Sequence, residues 1–203
     1  SLREADGMTL RVALGARPGS GAPSSTATQI VVPTPILTHL EMLRIREQTD
    51  TPVRRFEMLY TPVFDDTKAN AAQLAAAIDG VADRIADFAR ESGGIAVLTD
   101  RHVATDRAAL PMILAIAAVN QRLIDDGVRL RVSVIVESGQ LCSSHHIAAT
   151  LGFGAAAVYP LTVQMRAEEK YGDEADLAFL KFRKAAEKSL MKTMGRVGLC
   201  TVE

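Results

Sequence analysis

"AAQLAAAIDGVADRIADFARESGGIAVLTDR", Ala71 to Arg101, changes its period partway along. In the first part Ala71, Leu74, Ile78, Val81, Ile85 and Phe88 recur every three or four residues. That spacing lays one apolar stripe along a helix. Gly93 and Gly94 stop the helix, because glycine takes the left-handed conformation at a helix end without a Cβ penalty. "IAVLTDR" is then apolar without alternation and ends in charge, as a strand buried on both faces does. An amphipathic helix feeding a buried strand is one step of a parallel α/β fold.

The same step repeats outward from this stretch. "FEMLYTPVF", from Phe56, reads as the strand before it. Leu110 to Ile124 reads as a buried helix, apolar nearly all round, with Pro111 in its first turn and Asp126-Gly127 ending it. "LRVSVIVESG" is the next strand, Ser144 to Leu151 a short helix and "AAAVYP" a short strand. Asp173 to Gly195 is a long helix, and "GLCTV" a last strand. Upstream, "VVPTPILT" favours extended backbone, and Thr38 is placed to cap a short helix from His39 to Glu47. Strand and helix alternate about every 25–35 residues, which predicts an α/β fold: a parallel sheet with flanking helices, either partial (β/α)-barrel-like or Rossmann-like and layered. "GARPGSGAPSSTAT", Gly15 to Thr28, has a composition that buries little. Residues 1–32 are therefore expected as a flexible N-terminal segment and residues 33–203 as the α/β domain.

Composition narrows the function. The chain has 203 residues, 48% of them hydrophobic and 23% charged, enough for a real core. Only 4% are aromatic and none is Trp, so Ala, Leu, Ile and Val must build that core. A net charge of −1 gives no global pull toward nucleic acid or an anionic membrane. The longest apolar run, Leu110 to Val119, is too short to cross a bilayer as a helix. Two distant cysteines, Cys142 and Cys200, suit reduced thiols in a cytoplasmic protein. The chain opens Ser1-Leu2-Arg3-Glu4 with no signal peptide and no initiator Met, which points to a fragment.

Ligands of parallel α/β folds gather outside the carboxyl ends of the strands. Three strands here end in polar residues: Thr99-Asp100-Arg101-His102, Glu137-Ser138-Gly139 and Tyr159-Pro160. Asp100 and Arg101 can cap and pair; Glu137 can act as a general base or accept backbone N–H groups. The adjacent His145 and His146 invite a metal, but neighbours on a helix point about 100° apart and seldom share one. Cys142 with Glu137 and His145 or His146 has the residue types of a nucleophilic site, without a Gly-x-Ser-x-Gly elbow. No Walker loop and no Gly-x-Gly-x-x-Gly is present, and Gly152 and Gly154 fit a helix end followed by a tight turn. Lys181, Lys184, Lys188 and Lys192 form a basic stripe opposite Phe179, Phe182, Ala186, Leu190 and Met194, either a solvated face or a docking surface.

The order of motifs resembles a known family. "PTPILT", "LTDRHVATDRAALPMILAIAAVNQRLIDDG", "LRVSVIVESG", "HHIAATLGFGAAAVYP" and "KAAEKSLMKTMGRVGLCTV", running from Pro33 to Val202, look like the central domain of the glutamate synthase large subunit up to the edge of its synthase domain. "LGARP", Leu14 to Pro18, resembles a segment just upstream. The resemblance implies a multidomain parent. A glutaminase domain releases ammonia, which crosses a tunnel to an FMN and iron–sulfur centre and condenses with 2-oxoglutarate to give glutamate. The central domain would be a non-catalytic (β/α) connector that carries no cofactor and helps wall the tunnel. Asp100, Arg101, Glu137, Ser138, His145 and His146 would then be structural, interdomain or tunnel-side groups. The implied partners are the glutaminase and FMN synthase domains of the same chain and a small electron-donating subunit, with self-association of the fragment a further expectation. Where the family carries an acidic residue and an arginine between "ESG" and "HH", this chain has Gln140-Leu141-Cys142-Ser143-Ser144.

Overall fold

The computed structural model describes residues 7–23 and 29–202. Its centre is a parallel sheet of four strands: β3 (Val53–Glu57), β5 (Gly94–Thr99), β7 (Val132–Ser138) and β8 (Ala157–Pro160), in the order β3-β5-β7-β8. The two middle strands are buried along their whole length, as a continuous apolar run requires when helices cover both faces. Their register sets Val97 against Ile135 and Thr99 against Glu137. The segment around Ile36 runs parallel to β8, with the Leu37 N–H donating to the Val158 carbonyl at 2.8 Å and the Val158 N–H to that of Pro35 at 2.7 Å.

Alternation along each strand divides the core in two. Ala96, Leu98, Val134, Val136 and Val158 face α2 (Thr67–Glu91) and α3 (Met112–Asp125), which supply Ile85, Phe88, Ile116 and Val119. Ile95, Val97, Ile135, Ala157 and Tyr159 face the other way. They meet Met42 and Ile45 of α1 (His39–Glu47), Phe179 of α6 (Ala175–Val197), and Val12, Leu14 and Val32 of the antiparallel pair β1 (Val12–Leu14) and β2 (Ile30–Val32). Both sheet faces are thus covered, the layered form of the two arrangements the sequence allows. Burial of each large aliphatic side chain contributes roughly 1.5–3 kcal/mol.

The helix ends obey local chemistry. Thr38 and Glu41 form a reciprocal capping box on α1: Thr38 Oγ1 accepts the Glu41 N–H at 3.2 Å, and the Glu41 carboxylate accepts the Thr38 N–H at 2.7 Å. Asp66 caps α2 by accepting the N–H groups of Lys68 and Ala69. Gly94 has φ +118°, and a Cβ there would lie 2.3 Å from the Pro52 carbonyl oxygen. The two-glycine turn is therefore required by close backbone approach as well as by the helix end.

Several elements differ from the sequence reading. "FEMLYTPVF" is split: β3 ends at Glu57, and β4 (Leu59–Tyr60) turns away to pair with β6 (Ala108–Ala109). "GLCTV" forms no strand among the described residues, where Thr201 makes an isolated parallel bridge to Thr9. Leu161–Tyr171 forms a helix, α5, that no apolar periodicity announces, because its buried positions are only Leu161, Gln164 and Ala167. α4 (Ser144–Gly152) and α6 lie where helices were expected, within two residues. Within the expected flexible segment, Leu14, Ala16 and Ala22 are buried, and the Gly15 N–H donates to Ser133 Oγ. Residues 1–6 and 24–28 of that segment lie outside the described residues.

Candidate functional site

The parallel strands bring Glu57, Thr99, Asp100, Glu137, Ser138 and Tyr159 to one end of the sheet. The Glu137 side chain is 1% exposed there. Its Oε1 accepts from Thr99 Oγ1 at 2.7 Å, Arg101 Nε at 3.2 Å and Arg55 Nη2 at 3.3 Å; its Oε2 accepts from Arg101 Nη2 at 3.2 Å. A carboxylate offers about four lone-pair positions. Three of the four donors fall on Oε1 and one on Oε2, so Glu137 is a buried carboxylate whose charge is met by two arginines. Burial alone would raise its pKa, but the hydrogen bonds from Arg101 and Thr99 and the charges of Arg101 and Arg55 outweigh this and hold it below the ordinary carboxylate value. Its hydrogen bond to Glu137 raises the pKa of Arg101 in turn.

Asp100, beside it, forms a second knot. Its carboxylate accepts from Ser138 Oγ at 2.6 Å, the Gly139 N–H at 2.8 Å and Gln140 Nε2 at 3.3 Å. Gln140 Nε2 also donates to the Leu110 carbonyl, and its Oε1 accepts the Met112 N–H at the start of α3. One side chain thereby ties the turn after β7 to the first turn of α3, the helix before that strand, whose Pro111 offers no side-chain cap. Burial pushes the Tyr159 phenol up to about 12, so it stays neutral near pH 7. Its hydroxyl lies 3.3 Å from His39 Nδ1. At the rim, exposed Glu57 accepts from His102 and Arg107, and the His102 contact leads in lowering its pKa.

Four of the six sequence candidates, Asp100, Arg101, Glu137 and Ser138, come together in this cluster. His145 and His146 do not. Both are exposed on α4, and His146 Nδ1 accepts the Cys142 N–H at 3.3 Å. The Cys142 thiol donates to the Gly139 carbonyl, and Glu137 bonds neither histidine. The nucleophile–base–carboxylate chain is therefore not assembled. Arg55 and Gln140 were missed. Arg55 sits in the "VRRFE" of β3 and reaches Glu137 across β5, a cross-strand relation that spacing along one segment does not reveal. Among the described residues no three His, Cys, Asp or Glu side chains converge as a metal site. The chain's two cysteines are too few for the thiolate set of an iron–sulfur cluster.

The fold and this end of the sheet define a class: a layered parallel α/β domain whose strand-end acids are neutralised by its own arginines and hydroxyls. The particular family follows from comparison. The family model described as glutamate synthase central domain matches residues 1–203, and the chain belongs to that family. It is 34% identical over 165 residues to the ferredoxin-dependent glutamate synthase of Cyanidium caldarium, covering 79% of this chain and 10% of that protein. It is 32% identical to the glutamate synthase [NADPH] large chain of Bacillus subtilis, covering 75% and 11%. The chain thus spans about a tenth of the length of these relatives. A doubly substituted flavocytochrome b2 with pyruvate bound is similar at 14% identity and a TM-score of 0.49, over 83% of this chain and 37% of that one.

Proposed function

We propose that this chain is the connecting domain of a glutamate synthase, joining a glutaminase domain to an FMN-bearing synthase domain and forming part of the wall along which ammonia passes. Family membership over the whole chain supports this reading. The observation that carries it is the buried Glu137 carboxylate, whose charge is met by Arg101 and Arg55 of the same domain. The best-placed acid at the strand ends is buried and held charged by its own domain's arginines, a poor state for a general base, so its work is to hold the face of a domain in shape. Asp100, Arg101 and Ser138 serve the same face, and the FMN and iron–sulfur chemistry belongs to the neighbouring domains and to an electron-donating partner. The parent acts in the cytoplasm, where the exposed thiols of Cys142 and Cys200 stay reduced.

Two measurements test this. The purified chain hydrolyses no glutamine, forms no glutamate and shows no flavin absorbance; turnover or a flavin spectrum overturns the proposal. In the intact parent enzyme, Arg101→Gln leaves glutamine hydrolysis and ammonia-dependent glutamate formation running separately, while labelled ammonia from glutamine escapes into solution. Loss of the ammonia-dependent rate itself would assign Arg101 to the reacting centre and sink the connector role.

A further inference from the structure

The opposite end of the sheet carries a different arrangement. A polar cavity of about 250 Å³ opens where β7 and β8 begin, lined by Gly15, Arg17, Arg129, Ser133, Gly154 and neighbouring residues. One backbone and one side-chain hydrogen bond anchor its edge. The Arg17 N–H donates to the Leu130 carbonyl at 2.9 Å, and Arg131 Nε donates to the Ser20 carbonyl at 3.3 Å, so the loop after β1 is fastened along the turn that precedes β7.

Among the described residues Arg129 is held in this cavity by neutral acceptors: Asn120 Oδ1 at 2.6 Å from Nε, the Val132 carbonyl at 3.0 Å from Nη1, and the Gly154 carbonyl at 2.9 Å from Nη2. A guanidinium has five N–H donors, so those on Nη1 and Nη2 are only partly used. Among the described residues no carboxylate pairs with Arg129 or Arg17, and none lines the cavity. Burial, and then the nearby charge of Arg17, lowers the pKa of Arg129, as for a cation with no compensating charge among the described residues. A rigid guanidinium with spare donors, facing a second guanidinium across a polar cavity, is built to take a forked oxyanion.

We propose that the Arg17–Arg129 cavity binds a small oxyanion of the phosphate class, with Arg129 as the fixed fork and Arg17 as the solvent-side clamp. The anion joins the loop after β1 to the starts of β7 and β8, and so stiffens the amino end of the sheet. Arg17 is exposed and bonds the fold through its backbone, so Arg17→Gln leaves the folded chain intact.

The test titrates inorganic phosphate against chloride at matched ionic strength and follows the thermal midpoint of the 203-residue chain. Parallel ³¹P line-broadening reports binding directly, including in Arg129→Gln should that variant be less stable. Phosphate is expected to raise the midpoint saturably and to broaden the resonance, and both effects should fall several-fold in Arg17→Gln and vanish in Arg129→Gln. A glycerol phosphate arm distinguishes a free anion from one carried on an organic group: equal binding means the ester oxygen is tolerated, and weaker binding means the cavity takes the free ion. Equal shifts in phosphate and chloride, or unchanged phosphate broadening in both variants, would overturn the proposal.

Discussion

At the carboxyl end of the sheet, buried Glu137 is met by two arginines and a threonine. At the amino end, Arg129 is met by an amide oxygen and two carbonyls. The same β7 connects the two ends, yet charge is closed at one and left open at the other. The carboxyl end is the place where parallel α/β folds usually put their ligands, and in this domain it is the end whose buried charge is already compensated. A strand-end position is thus an invitation to function that the neighbouring side chains can revoke.

The two ends also differ in what holds them. Backbone fit sets the amino end, so Gly94→Ala should have the largest effect, about 4 kcal/mol, because the new Cβ has no room against Pro52 and φ is positive. Urea titration measures this, and a loss below about 1 kcal/mol would show that the turn can shift. The polar knot sets the carboxyl end. Glu137→Ala should cost about 3 kcal/mol, the lower part of the range for a broken buried pair, since Arg101 and Arg55 are 35% and 36% exposed and can rehydrate. Asp100→Ala should follow at about 2 kcal/mol, leaving Ser138 and the Gly139 N–H without their acceptor.

Acid should erase part of the contrast. The folded-state pKa of Glu137 is depressed, so its ionised form stabilises the fold above the ordinary value of 4.5, and that contribution is lost as pH falls through the lower folded value. The stability gap between the parent chain and Glu137→Gln should therefore be full near neutrality and shrink below about pH 4.5. A gap independent of pH would mean that Glu137 is not held charged. The smallest expected effect is at the open end: Arg17→Gln in chloride should change stability by no more than about 0.5 kcal/mol. A larger loss would make Arg17 part of the scaffold.

The layered fold was legible where apolar spacing is strong. The 71–88 stripe, the two buried strands and the Gly93-Gly94 turn all lie where their patterns placed them. Legibility failed where an element buries few apolar residues. α5 buries a glutamine among its three buried positions, and β1 is three residues long inside a sequence rich in turn formers. "GLCTV" carries strand propensity but, among the described residues, bridges Thr9 without a ladder. The site was half legible for a related reason. Asp100, Arg101, Glu137 and Ser138 follow strands, and parallel register aligns strand ends. Arg55 and Gln140 join through pairings between segments, and adjacency in sequence gave His145 and His146 a prominence that an exposed helix face does not support.

The pairing of Ile36 with Val158 has a consequence for how the domain comes into being. The segment before α1 lies beside the last strand of the four-stranded sheet, with more than half of the chain between them. On a ribosome that segment must wait, its apolar edge uncovered, until β8 emerges, and closing so long a loop is slow by its topology. The prolines in "VVPTPILT", at positions 33 and 35, remove amide donors from that waiting edge. They make it a poor template for a neighbouring nascent chain during the interval when the domain is most exposed to misassembly.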